Sequence, residues 1–419
     1  MITNQTSRKA RTVGGRESLS DGSLPSPHNP RYLTLDLWRG LACLMIVVLH
    51  AAHYANEARD SANFAGRFLL WAVSGMGIRI PMFFVISGYC IAAISDSTRR
   101  KPSAPAQFFL RRFRRIYPPY FAITLLTILL TVALNIVGRD DLVSDEYGLI
   151  PHPNQLTLAQ WIGNITLTET WRHHLFGAPE LKILGHSWTL CYEEQFYLVS
   201  GILLLIAPRR FFAGAALVTL FTLALAPFGG TVIHGFFFDG RWLMFAEGIA
   251  VYYLLNYRKS RYANLIIATL TLSFVAILRW RIPEVTANDL WRNPLWELVV
   301  SSAFSLALIL LHPWDRRVAE TRMLRPLAWC GRMSYSVYLV HWPITVVMTN
   351  VFYRANIRGI WPTLFFVAPL TCAVSLAGSW LFHITVERRF LNPSASRADA
   401  TAQGQGRDRL QADRSIMNT

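Results

Sequence analysis

The chain has 419 residues, of which 53% are hydrophobic, and it carries a formal net charge of +16. Its apolar residues fall in uninterrupted runs of about 18 to 22, the length that crosses a hydrocarbon core, so one multi-pass membrane domain is favoured over two or three soluble domains. Most of the basic residues lie in the tails and in short loops, without a motif that reads a nucleic-acid groove, which argues against a nucleic-acid partner.

The apolar runs predict an all-α transmembrane bundle of about ten helices. Basic clusters follow every even-numbered run, so the positive-inside rule places both termini in the cytoplasm. Residues 1–33 and 392–419 are polar and are predicted to be disordered cytoplasmic tails around a membrane domain of residues 34–391. The predicted spans are Leu35–Tyr54, Ile78–Ile94, Ile116–Val137, Ser187–Ala207, Phe211–Phe228, Trp242–Leu255, Leu265–Leu278, Leu295–Leu311, Met333–Val351 and Trp361–Val386.

The first span contains ionisable residues, which are costly inside a membrane and mark ion pairs, cavities or chemistry. Asp36 and Arg39 are three residues apart and can pair on one helix face near the cytoplasmic interface. His50 lies eleven residues beyond Arg39, roughly 16 Å along the helix axis and near mid-bilayer. The pattern leaves two interpretations of His50: a catalytic imidazole, or a side chain that hydrogen-bonds to a neighbouring helix.

Metal and disulfide sites are not indicated by the sequence. His53 follows His50 on the same helix face, but no further ligands are nearby, so no metal is expected. The five cysteines are dispersed in apolar runs and form no CxxC pair. Neither a zinc site nor a disulfide framework is therefore predicted.

A cluster of arginines precedes the third span. Guanidinium groups suit phosphate recognition, and coenzyme A, with its 3′-phosphate and pyrophosphate, would suit such a cluster. The alternative is a topogenic charge cluster that binds anionic lipid. The cluster consists of Arg111, Arg112, Arg114 and Arg115.

The longest connection, residues 138–185, lies on the outer face in this topology. Within it, Trp161–Leu167 is predicted to form an amphipathic element on the membrane surface. Long loops often carry specificity, although a simple tether is equally compatible with this sequence.

The fourth span runs inward from the outer face and carries two adjacent carboxylates. If His186 marks the interface, Glu193 and Glu194 lie roughly 10–12 Å deep, a depth similar to that of His50. A carboxylate at this depth can orient His50 and stabilise its imidazolium. The alternative is that the carboxylates pair with an arginine elsewhere.

Six motifs in the same order resemble those of the acyltransferase-3 family of membrane-bound O-acyltransferases, over roughly residues 34–390. The second motif is preceded by Arg79-Ile80-Pro81, where Pro81 is expected to kink or start the helix, and Cys191 and Tyr192 stand where small apolar residues are common in the family. The motifs are Leu35–Ala42 followed by His50, Met82–Tyr89, Arg112–Pro118, His186–Trp188 continuing through Glu193–Tyr197, Arg241–Gly248, and Ser334–Pro343.

The resemblance implies an acyl-CoA co-substrate on the cytoplasmic side, with acetyl as the default acyl group and no bound cofactor. It also implies a hydroxyl acceptor on a carbohydrate or glycolipid, and a location in the inner or plasma membrane. It makes His50 the essential residue, and elementary chemistry agrees, because neutral imidazole is a suitable base for a hydroxyl near pH 7.

The remaining roles follow from the same hypothesis. Glu194, with Glu193 beside it, would orient His50. Arg39, Arg112 and Arg115 would hold the donor near Asp36, and Trp188, His186 and Tyr197 would contribute to the substrate cavity. His341 and Arg241 are equally compatible with structural roles. One competing hypothesis is a proton-coupled secondary transporter of a small solute, in which His50 and Glu194 relay protons. A second is a catalytically inactive scaffold or lipid-binding protein, against which the presence of Arg39, His50 and Glu194 argues.

Overall fold

The computed structural model describes residues 32–60, 62–99, 104–144, 150–225, 235–257, 266 and 294–391. These residues form helices joined by turns, with no β-strand among them. The helices of eight or more residues are α1 (Leu35–Ala51), α2 (Phe64–Ser74), α3 (Arg79–Thr98), α4 (Ala104–Ile136), α5 (Leu158–Thr166), α6 (Glu169–Phe176), α7 (Trp188–Ile206), α8 (Phe211–Leu225), α9 (Arg241–Asn256), α10 (Pro294–Leu311), α11 (Arg325–Arg332), α12 (Ser334–Arg354) and α13 (Ala368–Thr385).

Six helical stretches in this part of the chain are long and apolar enough to cross a membrane, and they coincide with six predicted spans. Helices α1, α9 and α12 coincide with three further predicted spans, but they are not long and apolar enough to be counted with the six. The remaining predicted span, Leu265–Leu278, lies almost wholly outside the described residues. The all-α class is confirmed, whereas ten crossings and cytoplasmic termini stay predictions. The six stretches are Phe64–Thr98, Pro105–Ile136, Gly185–Ile206, Pro208–Leu225, Trp296–Glu320 and Ile360–Arg389.

Two helices differ informatively from their predicted bounds. Helix α4 begins at Ala104, well before the predicted start at Ile116, so the arginine cluster is helical. Since residues three or four apart share a helix face, the helix sorts the cluster into two half-buried and two exposed side chains. Helix α3 begins at Arg79 and holds Pro81 in its first turn, where proline is tolerated. The half-buried arginines are Arg112 and Arg115, and the exposed ones are Arg111 and Arg114.

Helices α3 and α9 meet backbone to backbone through two glycines. A Cβ atom on Gly88 would lie 1.9 Å from the carbonyl oxygen of Phe245, and one on Gly248 would lie 2.0 Å from the carbonyl oxygen of Val85. Small residues at helix interfaces allow this close approach in membrane proteins. The glycines of two family motifs therefore act as packing residues.

Helices α1 and α11 form a second pair of the same kind. A Cβ atom on Gly40 would lie 1.9 Å from the carbonyl oxygen of Leu327, and one on Gly331 would lie 1.6 Å from that of Asp36. The glycine that follows Arg39 in the first motif is thus required by the approach of α11.

The predicted amphipathic element in the outer connection is helix α5. Thr157 caps it, and Gln160 completes a capping box with Thr157. Its small and polar residues Gln160, Gly163 and Asn164 are buried against the protein. Its apolar residues point outward, as expected for a helix that lies against lipid; they are Leu158, Ile162 and Ile165.

A buried ion pair holds this outer connection together. Arg172 Nε donates to Glu169 Oε2 at 2.7 Å, and Arg172 Nη2 donates to Glu169 Oε1 at 2.9 Å. The backbone N–H of Leu181 also donates to Glu169 Oε1. The two side chains are only 3% and 1% exposed. Removing one partner would leave a buried charge unpaired, which costs about 3–5 kcal/mol.

Arg172→Ala is therefore expected to lower the free energy of unfolding of the outer connection by about 3–5 kcal/mol. Limited proteolysis of the detergent-solubilised protein measures this as faster cleavage within residues 150–185. The control is Arg316→Ala, which removes an ion pair with Glu320 whose side chains are 84% and 68% exposed. Equal proteolysis rates for the two variants would contradict the assignment.

Candidate active site

A cavity of about 670 Å³ is enclosed by α1, α3, α4, α7 and α12. Its volume suits a small organic ligand. We call the helix ends predicted to face the cytoplasm the inner end of the cavity, and the opposite ends the outer end. Six of the ten predicted site residues line it: Asp36, Arg39, Arg112, Arg115, Glu193 and Tyr197.

The predicted pair on the first helix is present at the inner end. Arg39 Nη1 donates to Asp36 Oδ1 at 3.0 Å, and Arg39 Nη2 lies 2.9 Å from Cys90 Sγ on α3. The Arg39 side chain remains 21% exposed. Asp36 and Cys90 therefore fix the orientation of a guanidinium that still faces the cavity.

The inner end also contains the half-buried arginines of α4. The Arg112 guanidinium lies 5.1 Å from the centre of the Tyr197 ring, and the Tyr197 hydroxyl donates to Glu193 Oε2 at 2.7 Å. Glu193 interacts electrostatically with Arg112 and Arg115. Glu193 therefore lies near the two arginines but forms no ion pair with either of them, and the alternative in which a carboxylate of the fourth span pairs with an arginine stays a prediction.

Glu194 lies on the side of α7 that faces α4. It interacts with Tyr117 and Arg112, and its Oε1 atom is buried without a hydrogen-bond partner in the described part of the chain. Its contacts there do not include His50. The role of Glu194 in orienting that histidine stays a prediction.

Three histidines meet at the outer end of the bundle, one each from α1, the turn before α7, and α12. The ring centres of His50 and His341 are 5.6 Å apart, and those of His186 and His341 are 4.8 Å apart. The Trp342 ring lies edge-on to His50 at 5.2 Å. We call these three histidines and Trp342 the histidine cluster.

Several polar atoms of the histidine cluster lack hydrogen-bond partners among the described residues. His341 Nδ1 donates to the Val337 carbonyl, which leaves Nε2 as an unpaired acceptor. Both ring nitrogens of His186 and the indole N–H of Trp342 are also unpaired. Buried polar atoms are normally satisfied, so the unpaired atoms around His50 are available to hydrogen-bond water or a ligand.

The cavity leads toward this cluster. Tyr338 lines it, and the ring centre of Tyr338 lies 4.5 Å from that of His186. Ile46 lines it one helical turn before His50. Among the described residues, no group of three or more side chains is placed to hold a metal ion, and this includes the histidine cluster. The sequence leaves open whether His341 has a catalytic or a structural role, because its place in the sixth motif is the only signal for it.

Trp188 and Arg241 belong to a neighbouring polar group. The Arg241 guanidinium lies 5.2 Å from the Trp188 ring and 4.9 Å from the Tyr192 ring. Arg241 Nη1 also pairs with Asp239 Oδ2 at 3.2 Å. Trp188 thus contacts Arg241 and is not among the residues that line the cavity, and its predicted contribution to a substrate site stays a prediction.

Comparisons with known proteins agree with the motif analysis. The model of the acyltransferase-3 family, described as an acyltransferase domain, matches residues 32–384. O-acetyltransferase OatA of Staphylococcus aureus (strain NCTC 8325 / PS 47) is 25% identical over 358 residues, which cover 80% of this chain and 54% of that protein. Peptidoglycan O-acetyltransferase OatA of Listeria monocytogenes is 24% identical over 338 residues, 74% of this chain and 49% of that protein.

A third relative is similar in length to the chain. BcsY of Komagataeibacter xylinus, named as a membrane-bound transacylase, is 25% identical over 380 residues, covering 89% of this chain and 86% of that protein. The chain spans about half the length of the two OatA proteins. No solved structure matches it. The match to an acyltransferase domain supports the predicted enzyme class, an O-acyltransferase. The family match extends over most of the chain and includes the helices that form the cavity, and the chain belongs to the acyltransferase-3 family.

Proposed function

We propose that the protein is a membrane-bound O-acyltransferase that moves an acyl group, most simply acetyl, from acyl-CoA to a hydroxyl of a carbohydrate or glycolipid. One observation carries the proposal: a single cavity has arginines at one end and leads toward the histidine cluster at the other. The names of the OatA relatives, which include peptidoglycan O-acetyltransferase, favour acetyl and a glycan acceptor. The proposal also includes ten membrane crossings with both termini in the cytoplasm, because this topology places the arginines on the side where acyl-CoA is made.

The donor lies along the cavity in this proposal. Arg39, Arg112 and Arg115 bind its phosphates at the inner end, where guanidinium groups give charge-assisted hydrogen bonds. Arg39 and His50 are roughly 16 Å apart along α1, so an extended donor anchored at the inner end presents its thioester near the histidines.

The reaction then needs one base and one leaving group. His50 accepts the proton of the acceptor hydroxyl, whose oxygen attacks the thioester carbonyl carbon. The resulting tetrahedral intermediate collapses with cleavage of its carbon–sulfur bond. The thiolate of coenzyme A leaves and takes the proton from the His50 imidazolium, which restores the neutral base.

Release of free thiol from acetyl-CoA tests the proposed function directly. The purified protein in detergent is expected to release coenzyme A faster when a glycan extract of its host is added, and the labelled acyl group should appear on the glycan. Absence of transfer from acetyl-CoA and from a second acyl-CoA by a folded protein would overturn the proposal. Gradient-driven solute uptake without acyl-CoA would instead support the transporter.

The two faces of α4 allow a matched test of donor binding. Arg112→Ala and Arg115→Ala each remove a guanidinium that lines the cavity, and a charge-assisted hydrogen bond contributes about 1.5–3 kcal/mol. The KM for acyl-CoA is therefore expected to rise roughly 10- to 100-fold. The exposed neighbours supply the controls, because Arg111→Ala and Arg114→Ala remove the same charge outside the cavity. Equal increases in KM for all four variants would assign the cluster to topology or lipid binding.

A further inference from the structure

Arg79 is a buried guanidinium that the proposed reaction has not used so far. It is the first residue of α3, the residue is 6% exposed, and it lines the cavity. It lies at the outer end, whereas the other arginines that line the cavity come from the inner end. Its position is thus suited to contact the reacting end of a donor, not its phosphates.

The hydrogen-bonding capacity of Arg79 is mostly unused. Its one hydrogen bond is from Nη1 to the Met76 carbonyl oxygen at 3.3 Å, and Nε is buried without a partner among the described residues. Glu297 interacts with it electrostatically, but no carboxylate in the described part of the chain lies within ion-pair distance. A buried cation without a close partner is expensive, so an anionic ligand is the natural partner for its free N–H groups.

The surroundings of Arg79 place it beside the histidine cluster. Arg79 interacts electrostatically with His50 and with His341. Arg241, which lies at the same end of the bundle, is paired with Asp239 and hydrogen-bonded to Tyr192 through Nη1, and it is not among the residues that line the cavity. Arg79 is therefore the cavity-lining cation, among the described residues, that is close to the histidine cluster and still has free donors.

We propose that Arg79 is a catalytic residue that donates hydrogen bonds to the oxyanion of the tetrahedral intermediate; this inference rests on the proposed function. When the acceptor oxygen bonds to the thioester carbon, the electron pair of the C=O bond moves to the carbonyl oxygen, and the Arg79 N–H groups meet that charge. When the carbon–sulfur bond breaks, the pair returns and the hydrogen bonds weaken. Donors fixed in advance at such a position stabilise the transition state more than the substrate.

Steady-state kinetics of Arg79→Gln and Arg79→Lys in the purified protein test the inference. Arg79→Gln is expected to lower kcat about 10²- to 10³-fold, the effect of removing an oxyanion donor, with the KM for acetyl-CoA unchanged. Arg79→Lys keeps the charge and should retain more activity than Arg79→Gln. A rise in KM with normal kcat would instead assign Arg79 to substrate binding and overturn the inference.

Chemical rescue separates a catalytic role from a structural one. Added guanidinium ion is expected to restore part of the activity of Arg79→Ala, because the cavity can admit a free guanidinium where the side chain stood. Arg241→Ala is the matched control: its guanidinium is tied into protein contacts, so added guanidinium should not rescue it. Absence of rescue in a folded Arg79→Ala protein, or failure of every Arg79 variant to fold, would overturn the inference.

The two proposals fail in different ways. An inactive wild-type protein would remove the proposed function, and the inference with it. An active wild type together with a fully active Arg79→Gln variant would remove the inference alone.

Discussion

His50→Ala is expected to lower the rate of acyl transfer about 10²- to 10⁴-fold, the contribution of a positioned general base. The half-buried His50 ring contacts His341 and Trp342, and the alanine variant leaves the acceptor hydroxyl without this proton acceptor. Thiol release from acetyl-CoA in the presence of glycan measures the loss. Binding of acetyl-CoA should persist, because the arginines at the inner end are unchanged.

His53→Ala is the control for this substitution. His53 is exposed and follows the end of α1, outside the histidine cluster. Its replacement is expected to leave transfer close to the wild-type rate. A folded His50→Ala protein with normal transfer would show that the histidine is structural, and equal losses in both variants would favour a shared site such as a metal.

Gly88→Ala is expected to destabilise the protein by about 1–3 kcal/mol or more, the usual cost of overpacking. The added methyl group would lie 1.9 Å from the carbonyl oxygen of Phe245, and a backbone atom cannot rotate away as a side chain can. Helices α3 and α9 must then separate. Thermal unfolding in detergent measures the loss, and Gly248→Ala should give a similar one from the opposite side.

Gly378→Ala tests whether any glycine in a membrane helix would give this result. Its Cβ atom would lie 2.8 Å from Cδ1 of Ile344, the mobile end of a side chain that can move aside. Alanine is also the better helix former, so little change or a slight gain in stability is expected. Equal losses for Gly88→Ala and Gly378→Ala would contradict the backbone-contact interpretation.

The side-chain arrangements that the sequence anticipated are those governed by helical period. The Asp36–Arg39 pair follows from their spacing on one helix, and the inward-facing side chains of α4 share a face for the same reason. The family motifs then identified which helices contribute to the site. Helix boundaries were less accurate, because the apolar run that predicts the third span begins after the arginine cluster, whereas α4 also includes that cluster.

Contacts between helices were not accessible to the same reasoning. His341 and His50 lie 291 positions apart along the chain, and no periodicity connects them. Similar depth in the membrane suggested that Glu194 accompanies His50, but depth does not fix which way a side chain points around the helix axis. The contacts of Glu194 are with α4. Arg79 lies just before the second motif, and the sequence assigned it no role.

The two glycine-mediated helix pairs restrict how the protein can move. Helix α1 is bound to α11, and α3 to α9, by contacts in which backbone touches backbone with no side chain between. Because these contacts leave no space between the two backbones, we expect each pair of helices to move as one rigid body. The Arg39–Cys90 contact lies between α1 and α3, at the boundary of these two bodies. We therefore expect any widening of the inner end of the cavity across this boundary to move α1 together with α11 relative to α3 together with α9.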